Sequence, residues 1–335
     1  MQSPPGKVKV FVTRSIPEVG PQLLREAGFE VKTWQEDRPM EPSELLDEAR
    51  QATALITLFT DRIDGQFLQQ AGNLDIISQF AVGYDNIDIQ AATDLGIPIG
   101  YAPGAMSDAT ADIAFGLMIA VSRKFFFMHK SIEKGDWTFF RPMANLGFEL
   151  KNKTLGIVGL GRIGQEMAKR CRGAYDMEVV YHNRRRNDAA AQTIGARWLP
   201  FEELLAQSDV VSVHCSLNDS TRGLFDRSAF LKMKRSAIFI NTARGAMHNE
   251  QDLLHALRTG VIWGAGLDVT NPEPMDPGHP LLRMENVAVL PHIGSATIEA
   301  RSEMSRLAAL NILAFYRGEQ VPHLVNREVV KAPGA

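Results

Sequence analysis

A chain of 335 residues is long enough for two domains, and 45% hydrophobic with 22% charged residues leaves ample material for buried cores. A formal net charge of −3 supplies no basic field, which argues against nucleic acid and against a membrane surface as partner. The two cysteines, Cys171 and Cys215, read as buried reduced thiols, and no metal is assigned. The N-terminal MQSPPGKVKVFV lacks a secretory leader's apolar stretch and no later run is long enough to span a bilayer, so the expected location is cytoplasmic.

Residues 8–13 read as an apolar strand, and 17–27 carry helical spacing (Val19, Leu23, Leu24, Ala27) that stops at Gly28. The alternation continues with strand 29–34, helix 43–51 (Ser43 and Glu44 suit its start) and strand 54–59. Helix 67–70, strand 74–80, helix 87–95 and strand 97–101 follow. That order describes an open parallel sheet with helices on both faces. It has no glycine fingerprint, so this first unit is not expected to hold a nucleotide.

Ala102-Pro103-Gly104 breaks the pattern. Ser107 then suits the start of a helix over 108–122, whose nearly continuous apolar residues predict burial between two packed bodies. The stretch 125–148 is aromatic, basic and irregular, with Trp137, Phe139 and Phe140. It is expected to pack as an arm on a second copy in a two-fold dimer; the alternative is an aromatic loop packed within its own subunit.

A second unit begins with a buried strand over 154–158, then Gly159-Leu160-Gly161-Arg162-Ile163-Gly164 and a helix over 165–172. Strand, G-x-G-x-x-G turn and helix are the parts of a dinucleotide site. Gly159 allows the tight turn, Gly161 lets a pyrophosphate approach, Gly164 permits close helix–strand packing, and free N–H groups at the helix start face the phosphates. Further strands are expected at 177–181, 210–214, 238–241, 262–269 and 287–290, with helices over 201–207 and 250–259 among them. A long amphipathic helix over 295–317 would carry the chain back to the first unit.

In this fold an acidic residue about 20 residues beyond the fingerprint bonds the adenosine ribose. Here the second strand runs into His182-Asn183-Arg184-Arg185-Arg186 instead. Guanidinium groups bind a 2′-phosphate that a carboxylate would repel, so NADP(H) is expected as the preferred cofactor and NAD(H) as the second choice.

Three loops follow later strands: Asn241-Thr242-Ala243-Arg244-Gly245, the stretch 267–274 with Asp268 and Glu273, and the stretch 291–297 with His292. Parallel sheets bind ligands beyond the carboxyl ends of their strands, so all three should open on one crevice. An arginine can hold a substrate carboxylate and polarise a keto oxygen, and a histidinium can give that oxygen a proton. A glutamate beside the histidine favours its charged form and fixes its orientation. Taken singly, Arg244 reads as a surface ion pair, Glu273 as a turn residue and His292 as a core histidine.

In that order G-L-G-R-I-G, N-T-A-R-G, G-L-D-V-T-N-P-E-P and L-P-H-I-G-S-A-T resemble the D-isomer-specific 2-hydroxyacid dehydrogenases, and residues 80–88 (F-A-V-G-Y-D-N-I-D) resemble that family's first-domain signature. The likeness runs from about Val8 to Asn326 and, through 264–270, 279–282 and 290–297, looks nearest to the glyoxylate/hydroxypyruvate reductases. It implies two Rossmann-like or flavodoxin-like parallel-sheet domains, with a nucleotide domain at 104–294 inserted into a discontinuous substrate domain at 1–103 and 295–335. It implies that 124–150 serves as a dimerisation arm.

The resemblance further implies Arg244 as substrate binder, His292 as proton donor, Glu273 as its partner, and the backbone N–H groups of Val82 and Gly83 as donors to the substrate carboxylate. Gly161, Arg162 and Ile163 would contact the pyrophosphate and Arg184 the 2′-phosphate, with Gly159, Gly164, Asn183 and Arg185 also expected among the cofactor-binding residues. Thr110, Ser216, Thr242, Asp268 and Gly294 would line the nicotinamide side. The expected substrate is a small 2-keto or 2-hydroxy acid and the expected assembly a homodimer.

Departures narrow the reading. Val82 stands where a related phosphite oxidiser has lysine, and Glu273 stands where formate dehydrogenases have glutamine. Phe140 is the candidate for an arm aromatic reaching a pocket, although the family's usual tryptophan is missing there. The expectation is therefore NADPH-preferring reduction of glyoxylate and hydroxypyruvate. Its rivals are a broader dehydrogenase of larger 2-keto acids such as 2-ketogluconate, with Leu58 and Phe140 setting pocket size, and a nucleotide-sensing co-repressor-like binding protein.

Overall fold

The computed structural model describes residues 8–329; residues 1–7 and 330–335, on which part of the leader and substrate-domain readings rests, lie outside the described residues. Contacts divide the chain into two units. One holds the described residues up to Met106 and from Ala296 onward, and the other is Ser107–Ser295.

In the first unit β1 (Lys9–Val12), α1 (Val19–Glu26), β2 (Glu30–Thr33), α2 (Pro42–Gln51) and β3 (Ala54–Thr57) alternate. They are followed by α3 (Gly65–Ala71), β4 (Ile76–Gln79), α4 (Ile89–Asp94) and β5 (Ile99–Gly100). The strands pair in parallel in the order β2-β1-β3-β4-β5, the flavodoxin-like arrangement. β3 and β4 are buried along their whole length, which is why they read as continuous apolar runs and not as alternation. The start of α2 differs from the expectation: Glu41 is the cap, its N–H bonded by the Glu44 carboxylate at 2.8 Å, and Ser43 lies inside the helix.

The second unit opens with α5 (Ser107–Ser122) and α6 (Phe125–Glu133), then β6 (Thr154–Val158), α7 (Arg162–Tyr175), β7 (Glu178–His182), α8 (Asp188–Ile194) and β8 (Ala196–Trp198). It continues through α9 (Phe201–Gln207), β9 (Val210–Val213), α10 (Arg227–Lys232), β10 (Ile238–Asn241), α11 (Glu250–Arg258), β11 (Gly264–Leu267) and β12 (Val287–Val289). All seven strands are parallel, in the order β12-β11-β10-β9-β6-β7-β8. The order reverses between β6 and β9, and that reversal defines the crevice of a Rossmann sheet.

Helix α5 packs on α7 and on β10 to β12 of its own unit. Its apolar residues Ala111, Ala114, Leu117, Met118 and Val121 lie in that unit's core. The stretch 125–148 is not wholly irregular, since its first third is α6; its end returns to the core where Phe148 meets the Trp263 ring at 5.3 Å. Between these, Trp137, Phe139 and Phe140 are 72%, 64% and 84% exposed.

The last helix, α12 (Ile298–Tyr316), belongs to the first unit and packs on α1 and on β3 to β5. Gly20 makes the α1 contact possible, because a Cβ there would stand 2.4 Å from the Ser305 carbonyl. The helix is buried on most sides and so is less amphipathic than its sequence suggested. Its Asn311 amide donates to Ser78 Oγ at 3.2 Å and to the Tyr101 carbonyl at 3.0 Å, tying it to the sheet. Among the described residues no helix is long and apolar enough to cross a membrane.

Candidate active site

The glycine turn leaves β6 at the sheet's reversal point, and each glycine has its own geometry. Gly159 has φ +104°, and a Cβ on it would meet the Cys215 nitrogen at 2.5 Å, so no larger residue fits between the ends of β6 and β9. Gly164 lies so near β6 that a Cβ would stand 2.4 Å from the Gly159 carbonyl. At Gly161, which caps α7, a Cβ would meet nothing within 4 Å. Two glycines are thus required by close packing, and the third leaves open space at the start of α7. That open cradle at a helix start fits a pyrophosphate.

The turn is braced from the arginine loop. Asn183 Oδ1 accepts from the Leu160 N–H at 2.7 Å, and Asn187 Nδ2 donates to the Leu160 carbonyl at 3.0 Å. Arg184 and Arg185 are exposed beyond the end of β7. Asn187 was not singled out from the sequence, although its place as cap of α8 was a legible signal.

Beyond β10, Asn241 shapes the Arg244 loop by accepting from the Ala243 N–H at 3.0 Å and donating to the Arg244 carbonyl at 2.9 Å. Arg244 is half-buried, with Nη1 donating to the Ala243 carbonyl at 2.8 Å. Gly245 brings this loop against the next one, since a Cβ there would overlap the Thr270 carbonyl at 1.9 Å. Thr242 lies 3.5 Å from His214 Nδ1, and the removal of His214 from water lowers it to about 3, so that imidazole is neutral at physiological pH.

The loop beyond β12 carries His292 in a left-handed conformation, φ +54°. Such a backbone costs about 1–3 kcal/mol and persists only when its surroundings impose it. Here Asp268 imposes it: its carbonyl accepts from the His292 N–H at 2.8 Å, and its carboxylate accepts from Ile293 and Gly294 at 2.8 and 2.7 Å. Burial raises Asp268 above the ordinary carboxylate range even though those two N–H groups act the other way. Thr110 completes the knot by donating to the Gly294 carbonyl at 3.1 Å. So held, His292 Nδ1 lies 2.5 Å from Glu273 Oε1.

The Glu273 loop is fixed by a group missed in the sequence. Glu250, at the start of α11 and buried, accepts from the Asn271 N–H at 2.9 Å and faces His248 and His279 at 3.6 Å each. Burial alone would raise it, but His248 and the Asn271 N–H hold it below the ordinary range. Its sequence signal was only that of an acidic first helical turn.

The remaining candidates lie elsewhere. Ser216 is exposed after β9, and its carbonyl accepts from Thr221 Oγ1 at 2.8 Å. Val82 and Gly83 belong to the first unit, in the loop beyond β4. There Gln79 donates to the Gly83 carbonyl at 3.2 Å and to Asn86 Oδ1 at 2.9 Å, while Asn86 donates to the carbonyls of Leu58 and Asp61 at 3.0 and 2.7 Å. Gln79, Gly83 and Asn86 are close in sequence, but the contacts of Asn86 to Leu58 and Asp61 span 28 and 25 positions and had no sequence signal.

A seven-stranded parallel sheet with a glycine cradle at its reversal point is the arrangement of a Rossmann dinucleotide-binding fold, and an imidazole–carboxylate pair lies beyond its strand ends. Residues 115–294 match the family model of the D-isomer specific 2-hydroxyacid dehydrogenase NAD binding domain. The chain is 44% identical over 328 residues to the glyoxylate reductase of Thermococcus litoralis, covering 97% of this chain and 98% of that one. A solved protein from Thermus thermophilus is 40% identical with a TM-score of 0.88, over 95% of this chain and 100% of that one. The NADPH-dependent glyoxylate/hydroxypyruvate reductase of Sinorhizobium meliloti, solved with NADP and malonate, is 25% identical with a TM-score of 0.86, over 98% and 100%. The chain belongs to the D-isomer-specific 2-hydroxyacid dehydrogenase family.

Proposed function

We propose that this chain is an NADPH-preferring reductase that converts glyoxylate to glycolate and hydroxypyruvate to D-glycerate. The single observation that carries the proposal is the 2.5 Å contact of His292 with Glu273, in the unit whose glycine cradle fits a dinucleotide. The names of the relatives supply the substrates.

When bound, the reduced cofactor supplies hydride to the keto carbon. His292 donates its proton to the keto oxygen, and Glu273 aims the imidazole through the 2.5 Å contact to Nδ1. Arg244 pairs with the substrate's carboxylate and polarises the same oxygen. Val82 and Gly83 offer backbone N–H groups to the carboxylate, and the Gln79–Asn86 network sets the shape of that loop. In this reading the unit Ser107–Ser295 holds the dinucleotide and the other unit is the substrate domain. Thr110, Thr242, Asp268 and Gly294 form the floor of the nicotinamide side, with Ser216 at its rim. The exposed aromatics Trp137, Phe139 and Phe140 are the surface through which two copies pair, which leaves Phe140 available to a second copy.

Initial rates across glyoxylate, hydroxypyruvate, pyruvate and 2-ketogluconate, each with NADPH and NADH, test the proposal. The highest kcat/KM is expected with glyoxylate or hydroxypyruvate and NADPH. Comparable rates with 2-ketogluconate would favour the broader dehydrogenase, and cofactor binding without turnover would favour a binding protein.

The cofactor assignment has its own expected result. Arg184→Ala raises the KM for NADPH by roughly ten- to a hundredfold, the size of one charged hydrogen bond, and leaves the KM for NADH nearly unchanged. Equal changes with both cofactors would remove Arg184 from the 2′-phosphate site.

A further inference from the structure

We infer that Trp198 is a positioning residue for cofactor selection: its indole face holds Arg186, which thereby joins Arg184 as a determinant of the preference for a phosphorylated dinucleotide. The inference rests on the NADPH reading and deepens it. The Arg186 guanidinium carbon lies 4.4 Å from the centre of the Trp198 ring. Trp198 ends the edge strand β8, in register with Tyr181 of β7, so the ring stands beside the point where the chain leaves β7 for the arginine loop. Its Nε1–H donates to the Asn183 carbonyl at 3.3 Å, and the side chain of Asn183 is bonded to Leu160 in the glycine turn. At the other end of the loop Asn187 is bonded to Leu160 as well and also donates its N–H to Tyr181 Oη at 3.1 Å. The loop thus arches between two anchors on one residue of the glycine turn.

Three adjacent guanidinium groups repel one another, and a free arginine must give up rotamer freedom before it grips a phosphate. An aromatic face offsets part of the repulsion and fixes the side chain beforehand. Arg186 is exposed at its polar edge while its flat side is covered, an arrangement that suits an anion arriving at the loop. A dinucleotide without the 2′-phosphate offers Arg186 nothing to bind.

Titration calorimetry with NADPH and with NADH on the full chain tests this without reference to turnover. Trp198→Leu is expected to weaken NADPH binding about two- to fivefold and to leave NADH binding unchanged, the size of an exposed cation–π contact. Trp198→Phe, which keeps a ring face but lacks the indole N–H, retains most of the selectivity. Arg186→Gln weakens NADPH binding about tenfold, and adding Trp198→Leu to it has little further effect, because the ring face acts through that arginine. Equal weakening of both cofactors by Trp198→Leu, additive losses in the double variant, or an unchanged NADPH affinity in Arg186→Gln would each overturn the inference. In those cases a wild-type preference for NADPH, lost in Arg184→Ala, would leave the broader cofactor reading standing. Equal wild-type affinity for the two cofactors would overturn both.

Discussion

Replacing His292 by Asn or Gln is expected to lower kcat for keto-acid reduction by about 10²–10⁴-fold, the range for loss of a positioned proton donor. The loss should fall on kcat and not on cofactor affinity, because the glycine cradle and arginine loop are formed by other residues. Asn is the better replacement, since it tolerates the left-handed backbone that His292 adopts at φ +54°. A change in NADPH affinity alone would show that the variant had disturbed the Asp268 knot and not the chemistry. Stopped-flow measurement of the single-turnover rate at saturating cofactor separates the two.

Arg244→Ala carries the second large effect, an expected fall of about 10²–10³-fold in kcat/KM for the keto acid. Arg244→Lys should recover little of it, because an ammonium cannot present the paired donors of a planar guanidinium to a carboxylate. Asn241 holds the loop through the backbone of Ala243 and Arg244, so the side chain can be cut away with the loop in place. Steady-state kinetics with NADPH binding as control checks this, and a full recovery by lysine would show that charge alone suffices.

Much of this architecture was legible in the sequence, and the reasons differ from one element to another. β3, β4 and β9 to β11 are buried on both faces, so continuous apolar runs marked them clearly. The glycine fingerprint was legible because each glycine answers a separate steric demand, two of them absolute. Strand β8 was missed because an edge strand of three residues, Ala196–Trp198, buries too little to show a pattern. Helices α8 and α10 were missed for a related reason, since each is only two turns or less and polar on its outer side. Motif order singled out Arg244, Glu273 and His292 as candidates, but the contacts that hold their loops were hidden. Glu250 reaches Asn271 across 21 positions and Asp268 reaches Gly294 across 26, and such pairs come together only through the fold. The left-handed backbone of His292 had no sequence signal at all, because glycine was absent where that conformation occurs.

Single-turnover reduction by Glu273→Ala at saturating NADPH tests the pairing of Glu273 with His292 most directly. The 2.5 Å contact of Glu273 Oε1 with His292 Nδ1 aims the ring, and a misplaced reacting group costs about 10²-fold in rate. The rate is therefore expected to fall about 10²-fold with NADPH affinity unchanged. Glu273→Gln, whose amide oxygen can still accept the imidazole N–H, should recover part of the loss. A wild-type rate in Glu273→Ala would contradict the account.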